Sequence, residues 1–264
     1  MESNSFDSMA GIFDETRVFD SACFGAALDF ITGEFPPSRF TTLFEPGIGT
    51  GRIAIPLAER GYHVTGVDIS DEMLKVLAEK LRKRNPPLPV TFQKADVTAL
   101  PFPDAAFHIA VAVHIYHLVR DWKKALAETL RVLRPGAPLI MLWTGSGAEV
   151  PAIKTRYREI CTAHGFPARH IGVTDDAERD DYLRSLGRRI EKVDNRWKWN
   201  QRISVDKAFN DIKNRYYSST NQVPEAVHRE VVEKLEGELL DQYGDLDRVV
   251  EVPTQISLVL VLPS

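Results

Sequence analysis

The sequence predicts an α/β protein built on a doubly wound, mostly parallel seven-stranded sheet. Three observations predict it. Short apolar runs of strand length alternate with stretches of helical pattern. The fourth run, Phe107–Val113, is almost wholly apolar, as expected of a strand covered on both faces. A turn with glycines at positions 47, 49 and 51 joins the first run to a helix.

Residues up to Pro37 carry no strand pattern. Within them Phe19–Phe30 reads as a helix with Phe24, Ala27, Leu28 and Ile31 on one side, so residues 1–38 are expected to form an N-terminal helical cap. Phe40–Glu45 is the first strand. The helix Ile53–Arg60 follows and stops at Gly61. Pro56 is tolerable there because it lies near the helix start. Tyr62–Val67 is the second strand, and Asp68 ends it. Ser70 is a good N-cap, with Asp71 and Glu72 in the positive first turn of the next helix. Met73, Leu77 and Leu81 recur every four residues and form a buried stripe, until Asn85-Pro86-Pro87 breaks the helix. Val90–Ala95 is the third strand, ending at Asp96. After the fourth strand come a helix, Lys123–Leu133, a stop at Arg134-Pro135-Gly136, and a fifth strand, Pro138–Trp143.

Beyond Trp143 the pattern loosens. Pro151–His164 and Asp180–Leu186 read as helices and Arg189–Val193 as a strand. Val205–Tyr217 and Glu225–Tyr243 are helical, and a last strand lies near Gln255–Leu262. A helical insertion over about 205–244 therefore separates the last two strands. The chain is read as one domain, with a cofactor-binding core at 39–145 and a substrate-side half at 146–264.

Sheets of this class bind ligands outside the carboxyl ends of their strands, where the strand order reverses. Glu45, Asp68, Asp96 and His114 each follow a strand, so all four should line one edge. The glycine spacing is G-x-G-x-G. A dinucleotide fingerprint, G-x-G-x-x-G, would need glycine where Arg52 stands. Glu45, just before the first glycine, would repel a pyrophosphate and welcome an ammonium.

Composition narrows the partners. Hydrophobic residues make up 44%, enough to bury a core, and the net charge is −4, which argues against a nucleic-acid partner. The run Lys80-Leu81-Arg82-Lys83-Arg84 reads as a solvated helix end. Cys23 and Cys161 lie far apart with no metal-ligand spacing and are expected to be buried thiols. No His/Asp/Glu cluster has metal spacing, so no metal is expected. No signal-peptide core and no membrane-length apolar run is present, so a cytoplasmic protein without membrane association is expected.

These residues resemble the class I S-adenosylmethionine-dependent methyltransferases, of the small-molecule type 11 group. The resemblance covers about Thr41–Trp143 and rests on four motifs in order. They are Phe44-Glu-Pro-Gly-Ile-Gly-Thr-Gly51, Val64-Thr-Gly-Val-Asp-Ile-Ser70, Ala95-Asp96-Val97, and the stretch from Phe107 through Tyr116-His117-Leu118 to Arg131-Val-Leu-Arg-Pro-Gly136. It implies a Rossmann-like methyltransferase fold, S-adenosyl-L-methionine as cofactor and a small-molecule methyl acceptor. Glu45 and the backbone at Gly47 and Gly49 would hold the methionine part. Asp68 would accept from both ribose hydroxyls, and Ile69 would pack on the adenine. Asp96 would accept from the adenine amine, with the Val97 N–H facing a ring nitrogen. His114 would close the methionine side through its backbone, and Gly51 and Met73 complete the implied set. Two positions depart from the family pattern: His108, often Asp, and Ala137, often Gly.

Methyl transfer from a sulfonium is an in-line displacement. The protein mainly supplies orientation, and a base is needed only if the nucleophile must lose a proton. His114, Tyr116 and His117 are the candidates, alongside the plainer reading that they pack under a lid. In similar enzymes an insertion like 205–244 covers the site. Arg196, Lys198 and Arg215-Tyr216-Tyr217 could meet an anionic or aromatic acceptor, and Phe13, Arg17 and Phe19 could cap the cofactor. Trp197 and Trp199 would share one strand face, as core or as pocket. An RNA methyltransferase, a non-catalytic cofactor-binding protein and a nicotinamide-dependent oxidoreductase are the competing readings. Monomer and homodimer both remain open.

Overall fold

The computed structural model describes residues 7–16, 18–146, 149–167 and 170–264. After α1 (Phe13–Thr16) and α2 (Ser21–Glu34) the chain enters β1 (Thr42–Pro46), α3 (Ala54–Glu59), β2 (His63–Asp68), α4 (Asp71–Arg82), β3 (Val90–Lys94) and β4 (Ile109–Val113). Then come α5 (Trp122–Val132), β5 (Leu139–Ser146), α6 (Glu149–Ala163), α7 (Asp176–Ser185), β6 (Arg188–Ser204), α8 (Val205–Lys213), α9 (Glu225–Tyr243) and β7 (Val249–Pro263).

The seven strands form one sheet in the order β3-β2-β1-β4-β5-β7-β6. The pairs β1–β2, β2–β3, β1–β4 and β4–β5 are parallel, so the sheet is mostly parallel as predicted. The order reverses between β1 and β4, which puts the ligand edge at the ends of those two strands. His108 explains one departure from the family pattern. Its Nδ1 lies 2.6 Å from Thr42 Oγ1 and accepts the Thr42 N–H at 3.2 Å, so the imidazole ties the start of β4 to β1.

Helix ends follow their caps. Asp20 accepts from the Cys23 N–H at 2.8 Å to start α2, and Ser70 accepts from the Met73 N–H at 3.1 Å to start α4. α4 carries Asp71 and Glu72 in its first turn and Lys80 and Arg82 in its last, the arrangement that complements the helix dipole.

Contacts divide the chain into two units. The first comprises residues 1–143, 171–197 and 256–264, and the second residues 144–170 and 198–255. In the first, Phe44, Val67, Ala110, Tyr116, Leu126, Leu139 and Val261 belong to one buried cluster. In the second, Ile153, Tyr157, Phe209, Val231, Leu235 and Val252 form another. Cys23 and Cys161 are both free thiols, Cys161 buried and Cys23 half-buried.

Four elements differ most from the sequence reading, among them β7, which starts at Val249 and not near Gln255. β6 runs through Ser204, far past Val193, as an edge strand in which Asn195 takes φ +65°. An edge strand rich in charge lacks the apolar run that marks a central one. α7 begins at Asp176, not Asp180, because Asp175 caps it and because its buried face includes Arg179 and Asp180. α8 stops at Lys213, short of Tyr217.

Candidate cofactor-binding site

The site is built from strand ends. β1 delivers Glu45 and then the glycine turn, in which Gly47, Gly49 and Gly51 have φ of +70°, +53° and +79°. L side chains are strained at such angles, so the turn needs glycine. The three glycines meet different surroundings. A Cβ on Gly51 would lie 2.4 Å from Leu77 Cδ1, so Gly51 permits close packing of the turn on α4 and is set by the fold. A Cβ on Gly47 would meet Ile115 Cδ1 at 2.7 Å. A Cβ on Gly49 would find no atom nearer than Gly47 O at 4.0 Å. Gly49→Val is therefore expected to keep most of the fold while filling the space above the turn. The φ of +53° strains valine, so a melting temperature lowered by several degrees with cooperative unfolding kept, and cofactor binding lost in calorimetry, is the expected result. A variant that binds normally would mean no ligand approaches that backbone.

β2 delivers Asp68. Its Oδ2 accepts the Gly49 N–H at 2.9 Å and its Oδ1 accepts the Ser70 N–H at 2.9 Å. The carboxylate thus locks the glycine turn against the start of α4. Each oxygen keeps a further lone pair, enough to accept one hydroxyl each. Burial raises its pKa, and the Ser70 and Gly49 N–H groups pull the other way. Ile69 beside it is half-buried and offers apolar surface. Met73 is 3% exposed and sits in the packed face of α4.

Glu45 is the most unusual group. It is 2% exposed, and its Oε2 has no hydrogen-bond partner among the described residues. Burial, and next the charge of Asp68, push its pKa well above the usual carboxylate range, while the Ala54 N–H pulls it down. A buried carboxylate oxygen without a donor is costly. An ammonium placed there would supply the donor, so the residue fits an amino-acid ligand and not a phosphate.

Asp96 follows β3. Its Oδ1 accepts from both the N–H and the Oγ1 of Thr98, each at 2.8 Å, which fixes the carboxylate while leaving Oδ2 for a ligand. Val97 is buried.

β4 delivers His114, whose φ of +49° is rare for a side-chain-bearing residue. The ring of Trp143, on β5, lies 5.1 Å from that of His114 and 5.7 Å from that of His117. The His114 and His117 rings are 6.1 Å apart. Trp143 was not singled out from the sequence, although it ends the predicted fifth strand just as His114 follows the fourth.

Tyr116 corrects the sequence reading. It is 1% exposed, and its hydroxyl donates to Thr129 Oγ1 of α5 at 3.1 Å. Burial raises its pKa further. Residues 116–118 form a 3-10 turn. Successive side chains there point about 120° apart, so Tyr116 turns into the core and away from His117. It is not available as a base.

The N-terminal segment is tied to the same turn. Asp14 accepts from Thr50 Oγ1 at 2.6 Å and also pairs with Lys80 of α4. Asp7 bonds the hydroxyl of Ser70. The Arg52 guanidinium lies 4.4 Å from the ring centre of Phe19 and 5.9 Å from that of Phe13. The residue that fails the dinucleotide fingerprint thus packs on the two aromatics expected to cap the site. Arg17 lies outside the described residues. Asp7 and Asp14 went unrecognised because pairings over 63 and 36 residues leave no local pattern.

The other acceptor-side candidates are engaged structurally. Arg196 lies 4.7 Å from the Phe30 ring centre. Trp197 is buried against Phe30 with ring centres 5.5 Å apart, and Trp199 is half-buried. Lys198 is exposed and Tyr216 half-buried. Arg215 Nη1 donates to the carbonyls of Thr220 and Val223 at 2.7 and 2.9 Å. Among the described residues no group of His, Cys, Asp and Glu could hold a metal ion, and no helix is long and apolar enough to cross a membrane.

Comparison with known proteins agrees with this geometry. Residues 44–141 match the methyltransferase domain family of type 11. The chain is 42% identical over 111 residues to a demethylmenaquinone methyltransferase of Thermus thermophilus, covering 41% of this chain and 48% of that one. It thus spans about half the length of the curated relatives it matches. In fold it is similar to the YcgJ protein of Bacillus subtilis, with a TM-score of 0.61 at 17% identity over 90% of this chain and 99% of that one. It also resembles phosphoethanolamine N-methyltransferase 2 of Haemonchus contortus, solved with S-adenosylhomocysteine. There the TM-score is 0.57 at 17% identity over 98% of this chain and 58% of that one. At these identities the structural likeness is one of fold alone. The match over residues 44–141, together with the motif order and the strand-end carboxylates, makes this part of the chain similar to the type 11 methyltransferase domain.

Proposed function

We propose that the protein transfers a methyl group from S-adenosylmethionine to a small-molecule acceptor by in-line displacement. The single observation that carries the reading is the buried Glu45 carboxylate, one oxygen of which has no donor among the described residues, at the mouth of the glycine turn. When bound, the cofactor supplies an electrophilic methyl group on a sulfonium. The chain's own residues bind, orient and exclude water. Glu45 and the backbone at Gly47 and Gly49 would hold the amino acid end, Asp68 the ribose, and Ile69, Asp96 and Val97 the base. His114 would close the methionine side. Gly51 and Met73 would support these contacts from below.

His114 and His117 are the candidates to take a proton from an acceptor that must lose one. Imidazole is suited to that near neutrality. One relative is named a demethylmenaquinone methyltransferase and others are named O-methyltransferases, which supports a small organic acceptor here. The two free thiols support a reducing, cytoplasmic location. The test is transfer of labelled methyl to a panel of phenols, hydroxyquinones, carboxylic acids and amines. Stoichiometric S-adenosylhomocysteine with a methylated product is expected. Tight cofactor binding with no transfer to any class would favour a non-catalytic binding protein.

A further inference from the structure

The second unit buries a titratable chain that the cofactor site does not use. His228 of α9 is 4% exposed, and its Nδ1 lies 2.7 Å from the hydroxyl of Tyr157 on α6. Its Nε2 lies 3.0 Å from the carbonyl of Lys213, the last residue of α8. A carbonyl can only accept, so Nε2 carries the proton and Nδ1 is bare. The Tyr157 hydroxyl therefore donates to Nδ1. The Cys161 thiol, one turn along α6, shares that hydroxyl. Tyr157 and Cys161 are 1% and 0% exposed, and burial raises the pKa of both, so each keeps its hydrogen. One imidazole thus joins α6, α8 and α9, whose apolar faces share one cluster.

A second proton on the ring breaks this pattern. Nδ1 becomes a donor facing a donor, and the Tyr157 hydroxyl must turn to sulfur, a weak acceptor. The new charge is also buried and meets a like charge. Arg215, just after α8, is held there by the carbonyls of Thr220 and Val223. Glu225, in the first turn of α9, acts the other way. It is 81% exposed and pairs with Arg215 at 3.1 Å, so water screens it. Burial is the largest influence on the His228 pKa and lowers it, as Arg215 does. The Lys213 carbonyl and Glu225 raise it, and the balance lies below the ordinary histidine value.

We propose that His228 is an acid-sensitive lock on the second unit, closed while the ring is neutral and opened by proton uptake. The lock holds α6, α8 and α9 together near neutral pH. A histidine whose pKa is lowered by folding binds its proton more tightly once the fold releases it. Its contribution to stability is therefore full above about pH 6.5 and is lost as pH falls from there toward the lowered value. In that range the opening equilibrium should rise by up to about tenfold per pH unit. The lock does not depend on methyl transfer.

Histidine NMR and hydrogen exchange on the full chain test it. At about pH 7.5, above the ordinary histidine value, His228 should show the Nε2–H tautomer. The Nδ1–H tautomer would overturn the lock. Between about pH 7.5 and 5.5, corrected for intrinsic exchange, amide protection in α6, α8 and α9 should fall, while β1 and β4 keep theirs. His228→Gln keeps a polar side chain that cannot titrate, and it should flatten this fall. His164 and His170, the other histidines of the unit, stay in the variant, so the difference between the two chains reports His228. Tyr157→Phe removes the donor to Nδ1 and serves if the glutamine variant fails to fold. Its His228 titration midpoint should rise by about half to one pH unit, the shift equivalent to one lost hydrogen bond to the neutral ring. No fall in protection overturns the lock. So does a fall that survives His228→Gln, or a midpoint unmoved in Tyr157→Phe. An equal fall over β1 and β4 marks general acid unfolding and overturns it too.

Discussion

Replacing Asp68 by alanine is expected to weaken S-adenosylmethionine binding by about tenfold to a hundredfold. The estimate follows from the ~1.5–3 kcal/mol carried by a hydrogen bond to a charged group, with each 1.4 kcal/mol worth tenfold. The loss has two sources. The carboxylate would no longer accept the ribose hydroxyls, and the N–H groups of Gly49 and Ser70, each 2.9 Å from it, would lose their acceptor. The glycine turn and the start of α4 would then loosen together. Asp68→Asn keeps one oxygen acceptor and should fall between wild type and alanine. Calorimetry reads both variants, and unchanged affinity in Asp68→Ala would remove the ribose role.

Glu45→Gln is expected to move binding and stability in opposite directions. The folded pKa of Glu45 lies well above its ordinary value because burial and the Asp68 charge disfavour ionisation. An acid whose pKa is raised by folding binds its proton more tightly in the folded state. Its contribution to stability is therefore full at pH below the ordinary value and is lost as pH rises toward the raised one. Glutamine carries no charge to desolvate. The variant should melt higher than wild type at neutral pH in the absence of cofactor, by about 2–4 °C for each kcal/mol. The gap should close as pH falls toward the ordinary glutamate range. Binding should drop by about tenfold or more, since the ammonium loses its charged partner. In wild type the affinity should climb with pH until Glu45 is ionised, and in the variant this climb should be absent. Melting curves and calorimetry between pH 5 and 8 check both arms. A variant that is less stable and binds as well as wild type would remove the ammonium role.

The cofactor side of the molecule was legible because its signals are local. Glu45, Asp68 and Asp96 each end an apolar run that reads as a strand, and a parallel sheet brings such ends to one edge. The glycine spacing carried the turn, and Ser70 carried the start of α4. What escaped is non-local or breaks a rule of thumb. Asp14 reaches Thr50 and Lys80 across the fold, and nothing near position 14 announces it. Arg179 is 1% exposed in an ion pair with Asp180, whereas burial is inferred from apolar residues, so the start of α7 was missed. Tyr116 lies next to His117 in sequence, but the tight turn separates their directions. β6 is charged and lies at the sheet edge, where strand patterns are thinnest. The acceptor side is hardest to read, because charged helix faces there resemble any solvated surface.

The central claim is that the turn after β1 binds the amino acid end of S-adenosylmethionine and not a pyrophosphate. Calorimetric titration of the full chain with S-adenosylmethionine and, separately, with NAD tests it most directly. Saturable one-to-one binding of S-adenosylmethionine, lost or strongly weakened in Asp68→Ala, with no heat from NAD, is the predicted result. Tight binding of NAD with none of S-adenosylmethionine would contradict it.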